Sequence, residues 1–387
     1  MIKCASIYTY EIDRPDVALD EINKYISRKI TLLKNTVGLI MCHPEFIATG
    51  VLKHICDSLP FDVAGITTAS QAVNDEAGEL ILTVFIITSD DVSFKTGVTD
   101  SVDGDVYLHA KNAYEKASAG EEELPGLVVF FTPFNVDLHS GDEYVRAWGK
   151  LLPSVPVFGT IATDDTASFE ENRVIYNGVC SENAMPFVLF YGAINPRFLI
   201  ATLPEDTVLS LRGKVTKTKG NIIYEINDIN THKFFADAGI PDKMATVPLM
   251  MSSPDDSEYD DVSVIRELFA YTEENAGILG GDADEGSTIS VLSFKPENIK
   301  STLKNRIEKL NKLPDVNGAI IFSCVSRRKA LLAVIEDLAE LELAKEEIKP
   351  DIPFMMGYSG GEFCPVMSKD GTTRNRFHNY SAGILII

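Results

Sequence analysis

Basic charge is what this sequence has least of: 35 Lys and Arg stand against 57 Asp and Glu, a formal net charge of −22. No run of four or more basic residues occurs. Binding a phosphate backbone or an anionic lipid surface needs clustered Lys and Arg to displace counterions, so neither nucleic acid nor a membrane is an expected partner. No stretch approaches the ~20 apolar residues of a membrane span. The opening Met1-Ile2-Lys3-Cys4-Ala5-Ser6-Ile7-Tyr8 lacks the apolar centre of a signal peptide. Cysteine is sparse too. Cys4, Cys42, Cys56, Cys180, Cys324 and Cys364 form no C-x-x-C pair and no zinc spacing with histidine. Neither a disulfide framework nor a metal is therefore expected, and a reducing cytoplasm is. Neither the P-loop pattern G-x-x-x-x-G-K-[ST] nor G-x-G-x-x-G is present, and no cofactor is expected. Asp282-Ala283-Asp284-Glu285-Gly286 brings its glycine one place early for a calcium loop.

What the chain does have is a core. Of its 387 residues, 45% are apolar and 24% charged, the mix of a globular protein long enough for two domains. The boundary is placed near Asn195-Pro196, giving domains 1–195 and 196–387. The expected class is α/β, with mixed sheets packed against helices.

One unit recurs three times: apolar strand, amphipathic helix, second strand ending in small residues, then a long returning strand. The first copy reads Val37 to Cys42, a helix from Pro44-Glu45 with Ile47, Val51 and Ile55 on one face, Phe61 to Thr68, then Leu80 to Ile87 after a turn at Gly78. The second reads Gly126 to Phe131, a loop from Thr132 to Ser140, a helix carrying Tyr144, Trp148 and Leu151, Val155 to Thr160, then strands Arg173 to Val179 and Phe187 to Ala193. The third reads Gly318 to Ser323, a helix with Leu331, Ile335, Leu338 and Leu341 on one face, Ile352 to Tyr358, and a closing strand from Phe377 to Ile387. Between the second and third copies lie strands Phe198 to Leu203, Val208 to Val215 and Asn221 to Ile226. A helix from Thr231 to Ala238 stopped by Gly239 follows, then an exposed acidic loop from Ser252 to Asp261 and a helix from Pro296 to Leu310.

Small residues follow the second strand of each copy: Gly65-Ile66-Thr67-Thr68, Gly159-Thr160-Ile161-Ala162-Thr163 and Gly357-Tyr358-Ser359-Gly360-Gly361. Strand ends that converge in an open sheet are the usual place for a ligand. At Phe322-Ser323-Cys324-Val325-Ser326-Arg327-Arg328 a buried strand gives way to a helix, with Ser326 as the expected N-cap. Two arginines in a first turn oppose the helix dipole unless an anion docks there. The same arginines also fit pairing with acidic groups. Cys324 could be a thiol activated by these cations, but a cysteine that ends a strand is more often inert packing. Gly357-Tyr358-Ser359-Gly360-Gly361 matches G-x-S-x-G, but the following residues read as a strand where a nucleophile elbow needs a helix. His43, before Pro44, is expected to start a helix.

The chain resembles the FIST family, with N-terminal and C-terminal FIST domains in tandem. The likeness is carried by Gly65 to Ala69, Gly213-Lys214-Val215 leading into Gly220 to Asn227, Phe322 to Arg327, Gly357 to Glu362, and His378-Asn379. The resemblance implies a sensory module of signal transduction that binds a small ligand, with amino acids among those proposed. It extends over essentially the whole chain, so no output domain is expected, and a free-standing receptor would report through a downstream signalling protein. Oligomeric state is left open.

The expected ligand site gathers Thr67, Thr68, Thr160, Cys324, Ser326, Arg327, Tyr358, Ser359, Gly361, Glu362, His378 and Asn379. Arg327 and the helix start would hold an anionic group, Glu362 an ammonium or amide, and the threonines would fix orientation. Two other readings compete: an enzyme with Cys324 as nucleophile, or Ser359 with His378 as base, and an acidic protein-interaction scaffold.

Overall fold

A computed structural model describes the chain except residues 136–138, 167, 241–246, 255–262, 333, 335, 337 and 369–370. The recurrence read in the sequence is a recurrence of topology. Each unit has a lead strand, a helix, two parallel strands bridged by helix, and a returning strand that inserts antiparallel between the lead strand and the first of the parallel pair. In the first unit these strands are Ile2–Thr9, Asn35–Cys42, Asp62–Thr67 and Leu82–Ser89. In the second they are Ser93–Val98, Leu127–Thr132, Val157–Ile161 and Pro186–Tyr191. In the third they are Arg197–Ala201, Ala319–Cys324, Phe354–Ser359 and Ala382–Ile386. The spatial order is lead, return, first, second in all three.

The last strand of each unit would present an open edge, which invites pairing with another chain. A short excursion from the next unit in a cycle covers each one. Gln71–Val73 of the first unit pairs with Phe354–Ser359 of the third, Val174–Tyr176 of the second with Asp62–Thr67 of the first, and Glu362–Phe363 of the third with Val157–Ile161 of the second. The three sheets thereby enclose a shared core in which Phe85, Phe131, Phe322, Met355 and Leu385 are buried together. Helices cover the outer faces and make a separate apolar cluster with each sheet.

A fourth sheet is inserted in the third unit, between its lead strand and helix Pro296–Leu310. Its strands run in the order Val208–Lys219, Thr288–Leu292, Val247–Ser252, Val264–Tyr271, Gly277–Leu279 and Ile222–Ile226, and the last pairs back onto the first. The sheet is a closed barrel. Its interior is filled by Val215, Leu249, Met251, Leu268 and Ile289, with Phe235 from helix Thr231–Asp237.

Several expectations are corrected by backbone conformation. The helix after His43 is two pieces, Glu45–Ala48 and Val51–Ser58, broken where Gly50 adopts φ +82°. Arg173 to Val179 is a hairpin, because Asn177 and Gly178 both have positive φ. The long helix through Leu341 is two helices, Val325–Leu332 and Ala339–Glu347, with Ile335 outside the described residues. The closing strand is interrupted between Phe377–His378 and Ala382–Ile386, where Tyr380 turns at φ +52°. Most of the acidic loop ending at Asp261 also lies outside the described residues. Helix Pro296–Leu310 has the expected bounds, and its Ile299, Leu303, Ile307 and Leu310 are buried. His43 does start its helix: Nδ1 accepts from the Glu45 amide at 3.2 Å.

Candidate functional site

The three small-residue turns meet. The Thr163 amide donates to Thr67 O at 3.1 Å, the Gly360 amide to Ile161 O at 2.9 Å, and the Tyr358 amide to Ser70 O at 3.2 Å, which links the units in a closed triangle. Side chains reinforce it. Thr68 Oγ1 donates to Tyr358 O at 2.7 Å, Thr163 Oγ1 to the same oxygen at 3.2 Å, and Thr160 Oγ1 to Gly361 O at 2.9 Å. The recurrent glycine has a steric cause. A Cβ on Gly65 would sit 1.7 Å from Ile40 O, and one on Gly159 would sit 1.9 Å from Phe130 O. Convergence was read correctly, but these turns spend their polar groups on one another. Thr67, Thr68, Thr160, Tyr358 and Ser359 are all fully buried.

Arg327 also turns inward. It is 0% exposed and donates to Glu340 at 2.7 and 3.1 Å, to Ile299 O at 2.9 Å and to Tyr380 O at 3.3 Å. The first-turn guanidinium thus meets its anion within the fold, in a carboxylate that is itself buried. Arg328 reaches Glu79 at 2.6 Å. Ser326 is no N-cap, because the helix starts at Val325 directly after the strand. Its hydroxyl instead donates to Glu267 of the barrel.

Glu362 lies opposite His378 in the antiparallel pair, as the sequence allowed. Its carboxylate accepts from Ser359 at 3.0 Å and from Ser381 at 2.5 Å. Burial raises its pKa well above the usual range, against those hydroxyls and Arg327. His378 uses Nε2 on Cys364 O at 3.0 Å, and burial pushes its pKa down to about 3. Burial drives the Cys324 thiol far up, and the carboxylates of Glu362 and Glu267 add to the effect. A thiol with 1% exposure and no tendency to ionise is inert packing. The hydroxyl of Ser359 is bonded to Glu362 and has no imidazole beside it in its hydrogen bonds.

An open volume does lie beside this hub. A cavity of about 330 Å³ is bounded by the loop after Leu127–Thr132, the end of Val157–Ile161, the start of helix Val325–Leu332 and Gly360, with the barrel as its roof through Glu267, Phe269 and Gly280. Of the expected site residues, Ser326 and Asn379 are on its wall. Sequence reasoning missed His139, Tyr144, Phe134, Phe169, Glu267 and Lys329. The first four belong to the loop-and-helix segments that follow parallel strands, where a ligand was to be sought. Glu267 sits in an inserted barrel strand and carried no such signal.

Three residues that line the cavity carry polar atoms that the fold leaves unused. His139 Nε2, Tyr144 Oη and Asn379 Oδ1 are buried and without a hydrogen-bond partner. His139 places Nδ1 against Glu143 Oε2 at 2.8 Å, so Nε2 is its remaining polar atom. Lys329 lies 4.7 Å over the Phe169 ring, and Phe134 packs 4.8 Å from the same ring. The roof is fixed by a buried ion pair, Arg266 with both oxygens of Asp142 at 3.0 Å, and by the Asp282 amide donating to Asp142 at 2.7 Å. Burial raises the Asp142 carboxyl to about 6, against the opposing pull of Arg266.

The molecule is thus an α/β protein of three strand-exchanging units, with a roofed cavity lined by aromatic and polar side chains. Its sequence matches the FIST N domain over residues 36–229 and the FIST C domain over residues 234–365, and the chain belongs to the FIST family. FIST domains are associated with sensory roles in signal transduction. No curated protein matches the chain. Among the described residues, no helix is long and apolar enough to cross a membrane.

Proposed function

We propose that the protein is a cytoplasmic sensor of a small zwitterion, an amino acid or close relative, bound in the roofed cavity. The observation that carries this reading is that three residues lining the cavity, His139, Tyr144 and Asn379, each keep a buried polar atom (Nε2, Oη and Oδ1) without a partner. Buried polar groups are nearly always hydrogen-bonded, and leaving one unsatisfied costs roughly 1–3 kcal/mol. A ligand that supplies partners to all three recovers that cost. The volume, about 330 Å³, is at the small end of ligand pockets. Glu267, Asn379 and His139 are acceptors suited to an ammonium, Lys329 is a cation suited to a carboxylate, and Phe134, Phe169 and Phe269 offer the apolar remainder.

The anion thus falls to Lys329 in place of Arg327. Six free cysteines accord with a reducing compartment. The report to a signalling partner would pass through the barrel, whose seating forms the roof.

Calorimetric titration of the whole chain with the common amino acids tests the reading. One or a few should bind, and Lys329→Gln and Asn379→Leu should each weaken binding about 10- to 100-fold, the loss of one charge-assisted or buried hydrogen bond. Absence of binding by any amino acid, or unchanged affinity in both variants, would end it.

A further inference from the structure

The barrel meets the rest of the molecule in two ways. Its two chain connections leave side by side: Val208 pairs with Leu292, and the Ser293 amide donates to Thr207 O at 2.8 Å. At this edge Ile265 and Leu292 of the barrel are buried with Leu203, Ile299, Leu331 and Tyr380 of the third unit. Against helix Gly141–Leu151 the contact is of another kind. Among the described residues, the apolar cluster of the helix takes in no barrel residue, and the barrel's own cluster takes in none from the helix. Polar groups make that seat. Arg266 donates to Asp142 at 3.0 Å and to Phe377 O at 2.9 Å, the Asp282 amide to Asp142 at 2.7 Å, and Arg146 to Asp282 at 2.7 Å.

Apolar and polar contacts respond differently to separation. Parting Ile265 from Leu331 would expose apolar surface to water with no compensation. A buried ion pair regains on opening the hydration that it lost on closing, so its net hold is small. The polar edge is therefore the one that opens, and the apolar edge the one on which it turns. The seat is closely fitted. A Cβ on Gly281 would lie 2.7 Å from Asp142 Oδ2 and 2.8 Å from Arg266 Nε, and one on Gly280 would lie 2.6 Å from Asn379 Oδ1. Gly280 and Asn379 line the cavity, as do Gly141 and Tyr144 of the helix. Separation at the seat thus parts the roof of the cavity from its wall.

We propose that the barrel is a hinged lid over the cavity, turning on its paired connections and apolar edge while the Asp142–Arg266 seat opens. What the lid admits rests on the sensor reading; the opening itself does not, and is tested without ligand. Residue-resolved hydrogen exchange of the whole chain is the test. Within one loop, the Gly280 and Ala283 amides donate to Glu267 O and Gly220 O inside the barrel, whereas the Asp282 amide donates across the seat. A rigid lid carries the first two bonds with it, so Asp282 should be less protected than either by about tenfold or more. Gly281→Ala wedges the seat, and Asp142→Asn removes its charge while keeping an acceptor for the amide. Each should cut the protection of Asp282 by about a further tenfold and leave Gly280 and Ala283 as in wild type. Equal protection of the three amides in the wild type overturns the proposal, as do variants that expose all three alike or none. A chain that shows the expected pattern but binds no amino acid keeps the lid and loses the sensor reading.

Discussion

Replacing Glu340 with alanine would leave the guanidinium of Arg327 buried without the carboxylate that it now contacts through two nitrogens. Both side chains are 0% exposed, so water does not substitute for the lost partner. The Ile299 and Tyr380 carbonyls and the Thr302 hydroxyl remain within 2.9–3.3 Å of the guanidinium, but they are neutral acceptors. Breaking a buried pair from one side typically costs about 3–5 kcal/mol, whereas replacing both partners with apolar residues of similar volume is often neutral. Glu340→Ala should therefore lower unfolding stability by about that amount, read as a drop in the urea midpoint. Arg327→Met combined with Glu340→Leu should recover most of it. A loss below about 1 kcal/mol in the single variant would refute the reasoning. It would mean that the guanidinium reaches solvent or a ligand, as the sequence alone had led one to expect.

Two further outcomes follow from the same geometry. The folded state holds His378 neutral down to about pH 3, while the unfolded chain protonates it near 6.5. Stability from this residue is therefore complete above pH 6.5 and falls as pH drops from there to about 3, by up to about 1.4 kcal/mol per pH unit. Asp142 and Glu362, whose folded pKa values are raised, act in the opposite direction. The difference in pH slope between wild type and His378→Asn isolates the imidazole, and parallel slopes would contradict its assignment. Gly159→Ala should yield no soluble protein, since its Cβ would lie 1.9 Å from Phe130 O. A folded variant with a normal thermal midpoint would show that the strands do not approach as described.

Local pattern determined the elements. Alternating apolar runs and small-residue turns located all three parallel strand pairs, Pro296 marked a helix start, and the glycines at 65, 159 and 357 marked the turns that converge. These signals are legible because they act over a few residues. The roles of the polar residues were another matter. Arg327 has the same sequence context whether it faces a ligand or Glu340, 13 positions away, and only packing of the second helix decided between them. The cyclic exchange of hairpins pairs strands as far apart as Gln71 and Gly357, and the barrel closes on a strand bent between two partners. Such pairings are fixed by which edges remain open once the sheets have stacked. For the same reason, the sequence directed attention to the hub where the turns meet, and tertiary structure alone showed that the hub is closed by its own hydrogen bonds while the open volume lies beside it.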